Sequence, residues 1–286
     1  MALAQQINGV IVNADSAQIY RDLRILSAAP TPEQLNLAEH RLYGVLDGAL
    51  ACSANDWAQM AAREIADIHQ QGRTPILVGG TGLYIRTLLD GIAPVPAIDA
   101  SVRERVRATA VEENYRELET RDPEAAGRLR PTDTTRISRA LEVILSTGRP
   151  LAEWQKERSG GIADAVNVRA IILTPPRDWL YGRCNTRFAQ MIDEGALAEV
   201  KRLLARELDK HLPVMRAIGV PELAKHLKGA STLDDAIEAG QQATRRYAKR
   251  QYTWFAHQPP SDWPRFADAL TTDRLDAALA LIARED

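Results

Sequence analysis

The stretch SANDWAQMAAREIADIHQQGRTPILVGGTGLYIRTLLDG (residues 53–91) reads as helix, strand, glycine turn and helix in immediate succession. Ser53 or Asn55 can cap a helix whose apolar residues Trp57, Met60, Ala61, Ile65 and Ile68 recur at helical spacing. Gly72 is a suitable stop. TPILV (74–78) then has the length and branching of a short buried strand, GGTG (79–82) that of a tight turn, and LYIRTLLDG that of a second helix. This succession predicts a parallel α/β sheet. GVIV (9–12) and VRAIIL (168–173) are further buried-strand candidates, and LYGVLDG (42–48) is a weaker one.

Residues 94–165 differ in character. APVPAIDA opens the region and ERSGGIADA closes it. Between them RVRATAVEEN, EAAGRLR and TRISRALEVILSTG are helical and rich in Arg and Glu, with no strand signal. The expected organisation is an α/β core over 1–93 and 166–286, helical in its C-terminal part, with a helical insertion over 94–165. From Pro176 onward the pattern is mostly helical, including FAQMIDEGALAEVKRLLARE and LDDAIEAGQQATRRYAKRQYTWFAH.

Composition sets outer limits. The chain has 286 residues, 45% of them hydrophobic, and a formal net charge of −2, so a basic surface able to bind nucleic acid everywhere is excluded while a local basic patch is not. No stretch resembles a signal peptide or an 18-residue apolar span, which predicts a cytoplasmic protein with no membrane partner. Cys52 and Cys184 lack the paired spacing of a zinc or redox motif and are expected to be small buried side chains.

Ligands of open parallel sheets bind beyond the carboxyl ends of the strands. Two loops qualify: one carries Asn13, Asp15 and Ser16, the other Gly79, Gly80 and Thr81. Paired glycines before a helix let backbone N–H groups approach an anion, though they equally suit a plain turn with Thr81 as cap. Asp15 can cap the segment SAQIY, or serve as an ionised carboxylate that accepts from an amine or holds a metal. Arg183 and Arg187 stand at i and i+4 of an expected helix, a spacing that could clamp a diphosphate and is also common on solvated faces. In TRRYAKRQYTWF (244–255), four cations interleave with four aromatics and no acid. Cations of this kind contact phosphates and aromatics stack on bases, while an amphipathic helix with solvated cations has the same pattern.

NADSAQIYRDL (13–23), ILVGGTGLYIRTLL (76–89), DTTRISRALEV (133–143), RFAQMIDEGALAEV (187–200) and AKRQYTWF (248–255) occur in an order that resembles the tRNA dimethylallyltransferases, the isopentenyl (IPP) transferase family. The resemblance spans nearly the whole chain. It implies a P-loop NTPase-like parallel sheet core with a helical insertion domain, and a nucleotide- or ATP-type phosphate site. The implied reaction carries the dimethylallyl group of dimethylallyl diphosphate to N6 of adenine 37 in tRNA, with Mg²⁺ assisting release of diphosphate. By the same resemblance Asp15, Thr81 and Arg187 are catalytic, and Thr81, Arg183 and Arg187 bind the diphosphate. The implied tRNA contacts are Asp15, Ser16, Ala17, Gln18, Thr81, Arg103, Thr135, Arg136, Ile137, Ser138, Arg139, Arg216, Lys249, Arg250, Gln251 and Trp254. The partner is the anticodon stem-loop, gripped by the insertion, and the protein is expected to be a monomer.

Departures from the family pattern are Val220–Pro221 after Gly219, where an aromatic-basic pair is common, and Cys184 in place of an aliphatic residue. A third is larger. The family opens with a strand and a loop G-x-x-x-x-G-K-[ST] followed by A-L-A, whereas this chain opens M-A-L-A. The expectation is a chain that starts after that strand and loop, shows unpaired backbone on the neighbouring strands, and turns over little by itself. Three other readings stand beside transfer to tRNA: a non-catalytic tRNA-binding remnant, an adenine-nucleotide prenyltransferase, and a small-molecule kinase. The kinase would need a Walker lysine that this sequence lacks, and the Arg-rich insertion and basic tail favour tRNA over a mononucleotide.

Overall fold

The computed structural model describes residues 1–283. Strand β1 (Gly9–Asn13) is buried along its whole length, as Val10, Ile11 and Val12 require, and lies between two parallel neighbours. On one side is β2 (His40–Arg41) and on the other β3 (Thr74–Val78), with Ile11 opposite His40 and Ile76. β3 has no strand on its second edge among the described residues. Pro75, which lacks an N–H, is tolerated on such an edge strand. A separate parallel pair joins β4 (Ile172–Leu173) to β5 (Arg265–Phe266).

Helix α1 (Ala54–Gln70) starts on a capping box. The Ser53 hydroxyl accepts from the Asp56 amide at 3.2 Å, and Asp56 accepts from the Ser53 amide at 3.0 Å. Its apolar face buries Trp57, Ala58, Ala61, Ile65 and Ile68. The Trp57 ring stacks on Tyr84 of α2 (Gly82–Asp90) at 4.6 Å, while its indole N–H donates to the Asn13 carbonyl at 3.0 Å. One side chain therefore ties both helices to the carboxyl end of β1.

The C-terminal part is built on α3 (Arg177–Asp193), α4 (Ala196–Leu204) and α5 (Leu233–His257). The run FAQMIDEGALAEVKRLLARE, read as continuous, breaks at Gly195, whose φ of 102° ends one helix and starts the next. Gly240 of α5 sits against Phe188 of α3, where a Cβ would come within 2.0 Å of the ring, so the two helices approach closely.

By compactness the chain divides into Met1–Leu88 with Ala165–Asp286, and Leu89–Asp164. The second unit is helical and has its own core, formed by Val106, Leu118, Ala126, Ile137, Ala140 and Leu141. Its helices include Ala100–Ala108, Val111–Arg121 and Thr134–Thr147, the first two separating RVRATAVEEN into two pieces.

Three strand expectations change. LYGVLDG forms no strand, because Leu42 and Gly44 have φ of 63° and 61°. The extended pair falls instead at His40–Arg41. VRAIIL contracts to Ile172–Leu173, and β5 was not foreseen, two residues being too few to show a period.

Candidate active site

The carboxyl ends of β1 and β3 are welded together. The Ala14 amide donates to the Val78 carbonyl at 2.8 Å, and the Thr81 amide to the Ala14 carbonyl at 3.2 Å. A Cβ on Gly79 would lie 2.2 Å from the Ala14 carbonyl carbon, so glycine is what permits the contact. Gly80 and Gly82 face Gln251 and Trp254 of α5, and Gln251 donates to the Gly80 carbonyl at 2.9 Å. The glycine turn thus serves packing between elements.

Asn13 sets the direction of the loop beyond β1. Fully buried, it donates to the carbonyls of Asp15 and Leu42, each at 3.0 Å, and accepts from the Asp15 amide at 2.8 Å. Asp15 Oδ1 accepts the amides of Ala17 at 2.8 Å and Gln18 at 3.4 Å, the cap anticipated for SAQIY. Among the described residues no hydrogen bond to its Oδ2 occurs. Burial pushes the Asp15 carboxyl above its ordinary value, against the amides of Ala17 and Gln18 and the charge of Arg187. The Ser16 amide donates to the Thr81 hydroxyl at 3.0 Å, so the two loops share a hydrogen bond beside the carboxylate.

A cavity of about 330 Å³ opens over this loop, a volume in the range of small-ligand sites. Asp15, Ser16, Ala17 and Tyr20 line it from the loop, Tyr84 from α2, and Cys184, Arg187, Phe188 and Met191 from one face of α3. Arg216 and Ile218 come from the turn before residue 220, and Thr244, Tyr247 and Arg250 from α5. Asn185 binds α3 to α5 here, accepting from Gln241 at 3.2 Å and from Arg245 at 2.5 Å. Burial raises the tyrosine hydroxyls, that of Tyr20 to about 12, and Asp15 is the one carboxyl group in the lining.

The wall of the cavity is held from behind by a buried carboxylate. Glu199 of α4 accepts from the amides of Arg24, Ile25 and Leu26 at 2.7, 2.9 and 3.0 Å. Gln18 donates to the carbonyls of Ser27 and Ala28, both at 2.9 Å, closing the same segment onto the Asp15 loop.

Expected site residues separate into groups. Asp15, Ser16, Ala17, Arg187, Arg216 and Arg250 converge on the cavity. Thr81 stands just behind it, joined to Ser16, and Gln18 is committed to its two carbonyls. Gln251 and Trp254 pack on the glycine turn, Lys249 is exposed, and Arg183 lies 5.4 Å from the Trp179 ring, outside the lining. Arg103, Thr135, Arg136, Ser138 and Arg139 belong to the helical unit and line no part of the cavity. Ile137 is corrected: it is fully buried in that unit's core and has no surface to offer RNA. Cys52 is corrected as well, since it is only partly buried and lines the cavity. Sequence reasoning missed Tyr20, Tyr84, Tyr247, Phe188 and Met191. The signal for the α3 face was present, because residues 184, 187, 188 and 191 follow helical spacing.

A family model described as IPP transferase matches residues 18–258. The chain is 63% identical over 258 residues to a tRNA dimethylallyltransferase of Novosphingobium aromaticivorans, covering 90% of this chain and 92% of the relative. It is 56% identical over 286 residues to that of Sphingopyxis alaskensis, covering 100% and 93%. Among solved structures, a tRNA isopentenylpyrophosphate transferase from Bacillus halodurans superposes with a TM-score of 0.69 at 33% identity, covering 97% of this chain and 88% of the other. A eukaryotic dimethylallyltransferase acting on tRNA gives a TM-score of 0.79 at 26% identity, covering 97% and 72%.

Proposed function

The chain belongs to the IPP transferase family and transfers a dimethylallyl group to tRNA, and we propose that the acceptor is N6 of adenine 37 in the anticodon stem-loop, with dimethylallyl diphosphate as donor. The observation that carries this reading is the Asp15 carboxylate. One oxygen is pinned by two amides, the other has no hydrogen bond among the described residues, and Arg187, Arg216 and Arg250 line the same cavity.

An exocyclic amine is a weak nucleophile that gains positive charge as it attacks. In the proposed step the N6–carbon bond forms as the carbon–oxygen bond to diphosphate breaks. The diphosphate leaves with the electron pair, and the N6 proton passes to Asp15 Oδ2. A carboxylate whose proton affinity is raised by burial suits that role. Arg187 faces the departing charge from α3, and the Thr81 hydroxyl, through Ser16, keeps the Asp15 loop in register. The target base would leave its stack to reach the cavity, where Tyr84 and Tyr247 offer aromatic surface.

Mg²⁺ fits this site as a companion of the donor. No group of three carboxylate, histidine or cysteine ligands occurs among the described residues. An ion held mainly by diphosphate oxygens and water needs only one or two protein oxygens, which the Ser16 and Thr81 hydroxyls could supply. When bound, it would spread the charge of the leaving group.

In the helical unit, Arg139 is partly buried and its proton affinity is lowered by that burial, against the charge of the Glu142 carboxylate and with a smaller contribution from Arg103. Arginines of this unit can contact an RNA phosphate, and Arg103 and Arg139 with Thr135, Arg136 and Ser138 form the proposed contact from it. Ser16, Ala17, Lys249, Gln251 and Trp254 are the proposed contacts around the cavity. The reading includes a monomer in the cytoplasm, and no described helix is long and apolar enough to cross a membrane.

The test is incubation of the purified protein with dimethylallyl diphosphate, Mg²⁺ and an anticodon stem-loop carrying adenine at position 37. Nucleoside mass spectrometry should then find N6-dimethylallyl adenosine at that position, in place of the low turnover expected from the sequence alone. Stem-loop binding with no prenylated nucleoside would overturn the reading in favour of a tRNA-binding remnant. Prenylation of free adenosine monophosphate in preference to RNA would overturn the choice of acceptor.

A further inference from the structure

The segment 21–28 contributes to two cavities. Leu26 and Ser27 line the one over the Asp15 loop. A second, of about 480 Å³, is lined by Arg21, Asp22 and Arg24 of the segment, by Glu199 and Arg202 of α4, and by Arg206 just beyond that helix. All six belong to one compact unit, and none of them lines the first cavity.

Both carboxylates of this second lining are already committed. Buried Glu199 uses one oxygen on the amides of Arg24 and Ile25 and the other on that of Leu26. Asp22 accepts from the Gly48 amide at 2.8 Å with one oxygen and from Arg206 with the other. Arg206 also meets Asp47 at 2.6 Å, and the charge of Arg21 acts on the same carboxylate. Arg21 donates to the Val45 carbonyl at 3.1 Å and Arg24 to the Pro30 carbonyl at 3.0 Å, neutral partners that orient a guanidinium and leave its charge. Arg202 is exposed in the last turn of α4. A cation therefore finds no open carboxylate oxygen in this lining, and an apolar ligand finds only Ile25 and Leu203. A phosphate group finds the guanidiniums of Arg21, Arg24 and Arg202, whose forked N–H groups match its oxygens.

We propose that this second cavity is a phosphate-binding site, separate from the Asp15 cavity, with Arg24 and Arg202 as ligands from the segment and from α4 and Arg21 beside them. The phosphate comes either from a free inorganic anion or from the backbone of the bound tRNA, and the same forks serve both. Glu199 shapes the site without occupying it, since its charge is met by three amides at the base of the segment. The proposal goes beyond the prenyl-transfer reading and uses none of the residues assigned to that reaction.

Phenylglyoxal modification of the purified protein, read arginine by arginine by peptide mass spectrometry, tests the site without turnover. Inorganic phosphate and the anticodon stem-loop are added in separate arms, each against chloride of equal ionic strength. Once the ligand exceeds its Kd several times, Arg24 and Arg202 should react about fivefold more slowly, and exposed Arg63 of α1 should change by less than about twofold. Protection by phosphate assigns the site to a free anion, and protection by the stem-loop alone assigns it to the RNA backbone. In the first case Arg24→Gln should weaken the phosphate protection of Arg202 about tenfold, while Arg24→Lys retains part of it and shows that the fold is intact. In the second, Arg24→Gln and Arg202→Gln should each lower the slope of log affinity against log salt for the stem-loop by about 1. Unchanged reactivity in both arms would overturn the proposal. Equal protection of Arg63, or stem-loop protection with an unaltered salt slope in both Gln variants, would overturn it too, as non-specific or steric shielding. A protein that protects Arg24 and Arg202 by these criteria yet forms no prenylated adenosine keeps this site and loses the function proposed above. One that prenylates the stem-loop without protecting them does the reverse.

Discussion

Asp15 concentrates the chemistry, and its neighbours dictate its state. Because burial raises its proton affinity, kcat/KM should climb with pH through a midpoint above the ordinary 3.8 and then level off; a profile flat down to pH 4 would contradict the base. Asp15→Asn should lower kcat by about 10²–10⁴-fold while stem-loop affinity is retained, and an equal fall in affinity would assign Asp15 to binding instead. The same substitution has a stability signature of defined sign. The folded protein holds the Asp15 proton more tightly than the unfolded chain, so ionisation disfavours folding. That penalty is absent below 3.8, grows as pH rises and is complete above the folded value. Asp15→Asn should therefore melt together with the parent protein near pH 3 and above it at neutral pH. A melting advantage that shrinks as pH rises would refute the burial. Asp15 and its loop were legible from sequence as a strand ending in a carboxylate. Asn13, which aims it through one donor group and one acceptor, was read only as part of the loop, since nothing in a linear pattern distinguishes a buried amide from a surface one.

Between elements, close approach is what the glycines and one carboxylate provide. Gly79→Ala would drive a Cβ into the Ala14 backbone, and because backbone cannot rotate away, a loss of about 1–3 kcal/mol is expected, together with most of the activity. Urea unfolding and a prenylation assay check both; an unchanged midpoint would mean the loops separate freely. Glu199→Gln replaces an acceptor by a donor facing the amides of residues 24–26, and about 1–3 kcal/mol should be lost for the amide left unpaired. Its effect on the reaction should appear in KM for the donor, since Leu26 lines the cavity. The glycine turn was visible in the sequence as an anion cradle or a plain turn. Its actual partners, Ala14, Gln251 and Trp254, come from residues far away along the chain, so their identity was beyond any local reading.

At the scale of the molecule, the chain has two compact units with separate cores. Leu141→Ala opens a cavity in the core of the helical unit, where the leucine is fully buried, and should destabilise that unit by about 2–5 kcal/mol. Stem-loop binding should weaken while pyrophosphate binding, which draws only on Met1–Leu88 and Ala165–Asp286, stays as it was. Loss of both would show that the units fold as one. Tryptophan fluorescence separates the two, because Trp154 belongs to the helical unit and Trp57 to the other.

By itself the sequence determined the parallel strands read at 9–12 and 74–78, the capped helix between them and the family. Each of these is written in short-range periodicity, turn chemistry or ordered motifs. Tertiary structure decided what the polar residues do. It sent Ile137 to a core, Gln18 to two carbonyls, Arg183 onto Trp179, and brought Arg187, Arg216 and Arg250 to the cavity that Asp15 lines. The physical reason is that a charge or an amide takes its role from whatever burial and partners surround it, and those partners come from elements far apart in the chain. The opening glycine turn kept its predicted shape, but packing reassigned its purpose.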